Sequence, residues 1–473
     1  MKRRKALQTI PLSAAGMYGA AQAAFGNDMC TDNASTGNNG SLADQYRKKI
    51  IERLTWVREN QSESLMEAAY AIARTYENGG TCYQVAWDAG HSESDSWDGR
   101  NGEPEIFSTD FSADKVKKGD LILCSAQVGD AAALKKKGAY IIGCPSSWSG
   151  DARLSELVRP EIQAIRLKPH ADLWIENNAT TLGGVVYVKG MPAPIGPVSG
   201  CVGKTTIWMM LADACRILAR RGINVTVKGD EPKISGKSGD TLDYRNFSGW
   251  ANLNEPLMDD YFDEVMRQFE LIDAEAGTIK KIASLCVDSV LNGGKIYGYS
   301  LESSVSGEAS TRRSGLSITR GVSRNNLDTA EKRKNFGGTS KDIVIMGITK
   351  PDDDFDLIAL DMFKKRGMKV VSIGAMTRSQ TKPAGRKVYD ETLLHAGKMC
   401  DTYGIFAVPG IDQRICPTSG VLLDQLYWTT MMNVVEQYID RTGDVPGVYL
   451  SGALKGGMEH LYRMNELYSG NEY

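Results

Sequence analysis

Pro197-Val198-Ser199-Gly200, followed by Trp208, returns as Pro417-Thr418-Ser419-Gly420, followed by Trp428, 220 residues later at every matched position. The apolar run Val185 to Val188 has its partner in Ile405 to Val408 at the same spacing. A period this long means two fused globular units, not a solenoid of short repeats. Further matches keep the same order: Asp44-Gln45-Tyr46 with Asp259-Asp260-Tyr261, Asn78-Gly79-Gly80 with Asn292-Gly293-Gly294, Asp120-Leu121-Ile122 with Asp342-Ile343-Val344, Lys137-Gly138 with Arg366-Gly367, and His170-Ala171 with His395-Ala396. Their spacing drifts as loops gain or lose residues around a fixed framework. The chain is a tandem duplication.

Size agrees, because 473 residues exceed what one core usually organises. With 56 basic and 58 acidic side chains the formal net charge is −2, which gives no electrostatic reason to expect nucleic acid. No run of about 20 apolar residues suggests a membrane span after processing.

At the N-terminus, Arg3-Arg4 stands before a mildly apolar run from Ile10 to Ala20, and Ala21-Gln22-Ala23 supplies small residues for cleavage. Residues 1–23 therefore read as a signal peptide, resembling the twin-arginine type although Ala6 stands where that signal favours Phe. The alternative is a disordered basic tail. Export to the periplasm is the expectation, with a cytoplasmic location as its rival, and residues 24–42 read as a flexible Asn/Ser/Thr/Gly-rich spacer. Most of the nine cysteines, including Cys82, Cys124, Cys144, Cys215 and Cys286, sit in apolar patterns where buried free thiols are the default. No Cys-x-x-Cys or zinc-like His/Cys spacing occurs, so no metal is expected.

The pattern predicts a first domain over 43–228, a Gly/Ser/Asp/Pro-rich linker over 229–256 and a second domain over 257–473. In the first, a helix over Ala43 to Tyr76 stops at Asn78-Gly79-Gly80. Strands are expected at Cys82 to Ala86, Asp120 to Ser125, Ala139 to Cys144, Ala164 to Leu167, Leu173 to Glu176 and Val185 to Val188. A short helix over Ala131 to Lys137 and a long one from about Lys204 to Arg221 complete the unit. The second domain repeats this with a helix over Tyr261 to Leu291, a strand at Lys295 to Tyr299, a Ser-rich loop over Leu301 to Gly315, a strand at Asp342 to Met346, a helix over Phe355 to Lys365, a strand at Lys369 to Ile373 and a helix from Leu422 to Tyr438. Alternating strands and helices imply an α/β class of two doubly wound parallel sheets, with ligands at the carboxyl ends of the strands.

Asn-Gly-Gly, a strand, a short Gly/Ser loop and then Gly119-Asp120-Leu121-Ile122 together resemble the sugar isomerase (SIS) domain. The likeness also runs through Ala171-Asp172, Glu176-Asn177 and Gly196 to Ser199; through Tyr261-Phe262-Asp263 to Asn292-Gly293-Gly294; and through Val448 to Ser451 and Gly456-Gly457-Met458-Glu459-His460. The resemblance implies flavodoxin-like three-layer α/β/α domains. It also implies phosphosugar binding, frequent dimers, no metal or nucleotide cofactor, and aldose–ketose interconversion through an enediolate. This chain departs from the family in two ways. The His that phosphoheptose-isomerase-like members carry on the long helix is missing from both copies, and Asp352-Asp353-Asp354 follows the strand whose loop would grip phosphate. Those carboxylates would repel a dianion, which favours a non-phosphorylated sugar or sugar derivative as the small-molecule partner.

Proton transfer between two sugar carbons needs a base and a second proton-handling group. Glu459 and His460 form the leading pair and His91 and Glu93 the second; either pair could instead be an exposed surface pair. Ser125, Gln127, Ser199, Ser303, Ser304, Ser306, Thr418 and Ser419 are the candidate hydroxyl and amide ligands, although Ser199 and Ser419 could equally be helix N-caps. His170 and His395 read as structural, and Arg312, Arg313, Arg320 and Arg324 as a solvated basic face. Gly200-Cys201-Val202-Gly203-Lys204-Thr205 ends like a nucleotide P-loop but has Val198 where that motif needs glycine. An isomerase and a non-catalytic sugar-binding protein both remain open, as do a structural role and a homo-oligomer.

Overall fold

The computed structural model describes residues 40–85, 102–108, 110–124, 131–144, 168–176, 183–228, 250–300, 303–310, 314–374, 385–397, 404–450 and 455–469. The signal-peptide region, most of the linker, and His91, Glu93, Ser125 and Gln127 lie outside them.

The first half runs α1 (Leu42–Glu77), β1 (Cys82–Val85), β2 (Glu103–Pro104), β3 (Phe107–Ser108), β4 (Leu121–Cys124), α2 (Ala131–Lys136), β5 (Tyr140–Gly143), β6 (Leu173–Trp174), β7 (Gly184–Val186), β8 (Ile195–Pro197), α3 (Ser199–Arg220) and β9 (Val227–Lys228). The second runs α4 (Leu257–Ala274), α5 (Ala276–Leu291), β10 (Ile296–Ser300), α6 (Ser303–Ala309), β11 (Thr319–Ser323), α7 (Ala330–Asn335), β12 (Ile343–Ile348), α8 (Asp354–Lys365), β13 (Lys369–Gly374), β14 (His395–Ala396), β15 (Gly404–Phe406), β16 (Ile415–Pro417), α9 (Ser419–Thr442) and α10 (Gly457–Ser469).

Each half builds a five-stranded parallel sheet, ordered β3-β1-β4-β5-β6 and β11-β10-β12-β13-β14. Counting only the strands within each sheet, both follow 2-1-3-4-5, the doubly wound order whose direction of growth switches beside the first strand. In the second half, apolar residues from β10, β12 and β13 bury against α8 on one face, and Ile343, Ile345 and Val371 bury into the larger core on the other. The sheets are thus middle layers, as the alternating pattern predicts. Val185 and Ile405 do not extend them; β7 pairs antiparallel with β8, and β15 with β16, as hairpins leading into the long helices.

The repeated motifs do the same work twice. Gly79 and Gly293 take φ of +71° and +79° where the opening helices end, a conformation natural to glycine. The Asp120 carboxylate accepts from the amides of Thr81 and Lys117, both at 2.9 Å, and Asp342 accepts from Lys295 and Thr339, both at 2.7 Å. Tyr46 donates its hydroxyl to the Pro197 carbonyl at 3.0 Å, and Tyr261 donates to Pro417 at 3.1 Å. These pairings fix each opening helix to its own sheet and to the turn before its long helix.

One hydrophobic core joins the halves, running from Tyr46 and Ile50 through Trp208 and Met210 to Tyr261, Trp428 and Met432. The long helices reach across it. Asp213 on α3 accepts from the amides of Leu257 and Met258 at the start of α4, at 3.3 and 3.0 Å, and Glu436 on α9 accepts from the Leu42 amide at 3.4 Å. Each half therefore caps the opening helix of the other. Burial raises the Asp213 carboxyl above the usual carboxylate range, against the opposing pull of Arg216 and these amides.

Three expectations change. The helix expected over Tyr261 to Leu291 breaks at Glu275, just before the helix-weakening Gly277. The loop expected over Leu301 to Gly315 contains α6. Arg320 is buried and donates to the Ser317 and Thr319 carbonyls at 2.9 and 2.6 Å, so it is not part of a solvated face.

Candidate functional site

Three glycines in neighbouring strands, Gly298 on β10, Gly321 on β11 and Gly347 on β12, make a floor on the core face of the second sheet. A Cβ on Gly298 would sit 2.9 Å from the Val305 carbonyl and closer still to Ala309; one on Gly347 would meet Val305, and one on Gly321 the Ser306 carbonyl. The helix α6 lies on this floor with Val305 and Ala309 buried beneath it. Its serines are poor helix formers, so the packing, not propensity, makes it a helix. The Ser300 hydroxyl, at the carboxyl end of β10, accepts from the Ser306 amide at 3.1 Å and steers the chain into that turn.

The seat carries Glu308 into the interface between the halves, where it is 4% exposed. The Trp428 indole N–H donates to Glu308 Oε2. A Cβ on Gly200, in the first turn of α3, would lie 2.8 Å from Glu308 Oε1 and 2.6 Å from Asp424 Oδ2, so two buried carboxylate oxygens converge above one glycine. Lys204, one turn along α3, donates its ammonium to Asp424 Oδ2 at 2.7 Å, with both side chains nearly inaccessible. Lys204 and Asp424 occupy the same place in the two repeats, 220 residues apart, and meet each other across the interface. The Cys201 thiol beside them is pushed well above its ordinary value by burial and the Asp424 charge, against Lys204. The arrangement holds a desolvated carboxylate, a second carboxylate and an ammonium at the opening turns of two long helices, beside the switch point of the second sheet. Chemically it can take up, hold and return a proton.

Of the hydroxyl candidates, Ser199, Ser304, Ser306, Thr418 and Ser419 are all buried. Ser306 pairs with Ser300 at 3.3 Å, and the Thr418 hydroxyl accepts from the Gln268 amide at 2.9 Å. Ser199 and Ser419 are the first helical residues of α3 and α9, and the caps before them, Val198 and Thr418, make no side-chain capping bond. Ser303 begins α6. In the loop after β12, Asp353 turns its carboxylate onto the amides of Phe355 and Asp356 at 2.9 and 3.1 Å, so it serves as the N-cap of α8.

Glu459 and His460 stand in the first turn of α10. Glu459 is exposed, while half-buried His460 has Nε2 at 2.8 Å from the Val448 carbonyl, to which the neutral ring donates. Burial lowers the His460 pKa, the bond to Val448 opposes this, and Arg463 adds to it. The unfolded chain therefore takes up the proton first as pH falls, and stability drops on acidification below the ordinary histidine range. Exchange of the α10 amides should accelerate between pH 7 and pH 5, and His460→Gln should flatten that dependence. His395, expected to be structural, has Nδ1 at 2.8 Å from the Ser372 hydroxyl.

Sequence reasoning passed over Glu308; it met Lys204 as the start of a long helix and the tail of a false P-loop, and Asp424 only as the matching position that could not grip a triphosphate. The usable signals were the glycines of Ile-Tyr-Gly-Tyr-Ser, Thr-Arg-Gly-Val-Ser and Ile-Met-Gly-Ile-Thr, and the opposite charges at one repeat position. Among the described residues no cluster of His, Cys, Asp or Glu is arranged to hold a metal, and no helix is long and apolar enough to cross a membrane.

No family model matches the chain. It is 24% identical over 220 residues to a UPF0309 protein of Geobacillus thermodenitrificans (strain NG80-2), a match covering 39% of this chain and 87% of that one. Among solved structures it is similar to the C-terminal domain of glucosamine-fructose-6-phosphate aminotransferase from Francisella tularensis, at 12% identity and a TM-score of 0.40, over 88% of this chain and 99% of that one. It is also similar to tagatose-6-phosphate ketose/aldose isomerase from Escherichia coli, at 12% identity and a TM-score of 0.38, over 86% and 95% of the two chains. The fold assignment rests on the two sheets themselves.

Proposed function

We propose that this is a sugar-handling protein of the SIS type whose working site lies in the second half, with Glu308 as the base. Its ionised carboxylate would take the proton from one carbon of a sugar or sugar derivative, leaving an enediolate, and return it to the neighbouring carbon as the hydroxyl proton moves the other way. The observation that carries this reading is the placement of Glu308: a desolvated carboxylate, oriented by Trp428 and delivered by a helix seated beside the switch point. In the sequence of the first half, the positions matching Gly298 and Gly347 are Gln84 and Ser125, so the glycines that clear this seat are not repeated there.

The test is incubation with free sugars, glycosides and sugar phosphates in deuterated water, with mass detection of exchange at carbon. Glu308→Gln should reduce exchange by about 10²- to 10⁴-fold, the usual worth of a positioned base. Loss of exchange in Glu459→Gln instead would move the base to the C-terminal Gly-Gly motif. A second reading, a carbohydrate-binding protein without catalysis, draws on the exposure of Glu459 and on His460, whose Nε2 is already engaged by the Val448 carbonyl. Binding without exchange would establish it.

Export by a twin-arginine signal belongs to the same proposal and rests on Arg3-Arg4 and the run after it. With the full chain expressed, fractionation should find the protein in the periplasm, shortened by its signal peptide, and a paired Arg3→Lys and Arg4→Lys change should retain it inside.

A further inference from the structure

We propose that Lys204 is a positioning residue that the first half supplies to the second half's site, holding Asp424 and Glu308 both as carboxylates. The inference rests on the reading of Glu308 as the base, which must be ionised to act. Two carboxylates that approach one point in a desolvated setting do not both ionise without a cation; left alone, the pair would retain a shared proton. Glu308 Oε1 and Asp424 Oδ2 approach such a point, the space above Gly200 that a methyl group would fill. The ammonium of Lys204 is on Asp424 at 2.7 Å and comes from α3, an element of the other half. Among the described residues, the charged and titratable groups placed at this point are Asp424 from α9, and Lys204 and Cys201 from α3. The neighbouring strand positions Arg320 and Tyr299 alternate with Gly321 and Gly298, which places them on the opposite face of the sheet. The Trp428 indole adds a neutral donor to Glu308.

The same geometry explains two features of the sequence. Gly200 is glycine because a side chain there would enter the point where the carboxylates converge. Lys204 stands opposite Asp424, not opposite another lysine, because an ammonium facing its own repeat equivalent would leave Glu308 beside two cations and unable to serve as a base of useful strength.

Trp428 gives a readout that does not depend on catalysis, since its indole N–H reports the charge on Glu308. The tryptophan ultraviolet difference spectrum of the full chain would be titrated with acid, with Trp428→Phe identifying the signal. Removing the cation with Lys204→Met should raise the midpoint by about two pH units, in line with the effect of an adjacent cation on a carboxylate. Lys204→Arg should keep it within about half a unit. If Lys204→Met does not fold, Asp424→Asn provides the converse: the ammonium then serves Glu308 alone and the midpoint falls. A midpoint unmoved by either substitution would overturn the proposal and leave Lys204 as a brace between the halves. Failure of the isomerase reading is a separate result, because it would abolish exchange at the sugar carbon while these spectral shifts persist.

Discussion

Gly298→Val should destabilise the protein by about 3 kcal/mol or more, the upper range for forcing side-chain volume into a packed core, and should abolish ligand-dependent stabilisation as well. The first isopropyl carbon would stand 2.9 Å from the Val305 carbonyl and overlap Ala309. Those atoms belong to α6, which packs on the sheet beneath it and against α9. The helix must lift, and Glu308 then leaves Trp428 and the point above Gly200. A control separates this from a general cost of losing glycine. Gly277 lies in α5 with nothing near its virtual Cβ, and Gly277→Ala should be neutral or stabilising by about 0.5–1 kcal/mol. Denaturant melts of both variants, with the indole signal followed in parallel, check the pair of outcomes. Equal stability of the two variants would mean that the glycine floor does not seat the helix.

The second large effect is expected at the buried ion pair. Lys204→Asp removes the ammonium and adds a further carboxylate beside Asp424 and Glu308, so a loss of about 3–5 kcal/mol follows from leaving buried charge uncompensated. Because the two positions are related by the repeat, Lys204→Asp combined with Asp424→Lys should recover much of that loss, with a coupling energy of about 3 kcal/mol in a double-mutant cycle. Stabilities that simply add would show that the residues do not act as a pair.

The architecture was legible because it is written twice. Asn-Gly-Gly, the buried Asp120 and Asp342, and the Pro-x-Ser-Gly turns each perform one backbone task, and a task repeated in order at a near-constant spacing is readable from sequence. The parallel α/β character followed from the alternation of apolar runs with helical patterns. What the sequence concealed was non-local. The helix α6 is made of serines, glycine and alanine with weak intrinsic preference, and it forms because three glycines from strands far apart in the chain clear a seat for it. Glu308 therefore sits in what looks like a polar loop. Lys204 and Asp424 each read as an ordinary charge on an apolar helix until the two long helices cross. The C-terminal Glu459-His460 drew attention because a carboxylate and an imidazole adjoin in sequence, yet successive residues on a helix point about 100° apart and do not face each other.

The Lys204–Asp424 contact also bears on how the two halves have been free to diverge. In an assembly of two identical chains, a residue on the two-fold axis meets itself, and any substitution there appears on both sides at once. A lysine would face a lysine, and a carboxylate a carboxylate. Joining both copies in one reading frame removes that constraint, because one gene segment can change while the other keeps its old residue. An opposite-charge pair at a single axial position is closed to two identical chains and open to a fused one, and it marks these halves as no longer interchangeable: one has come to furnish the support, and the other the carboxylate that is supported.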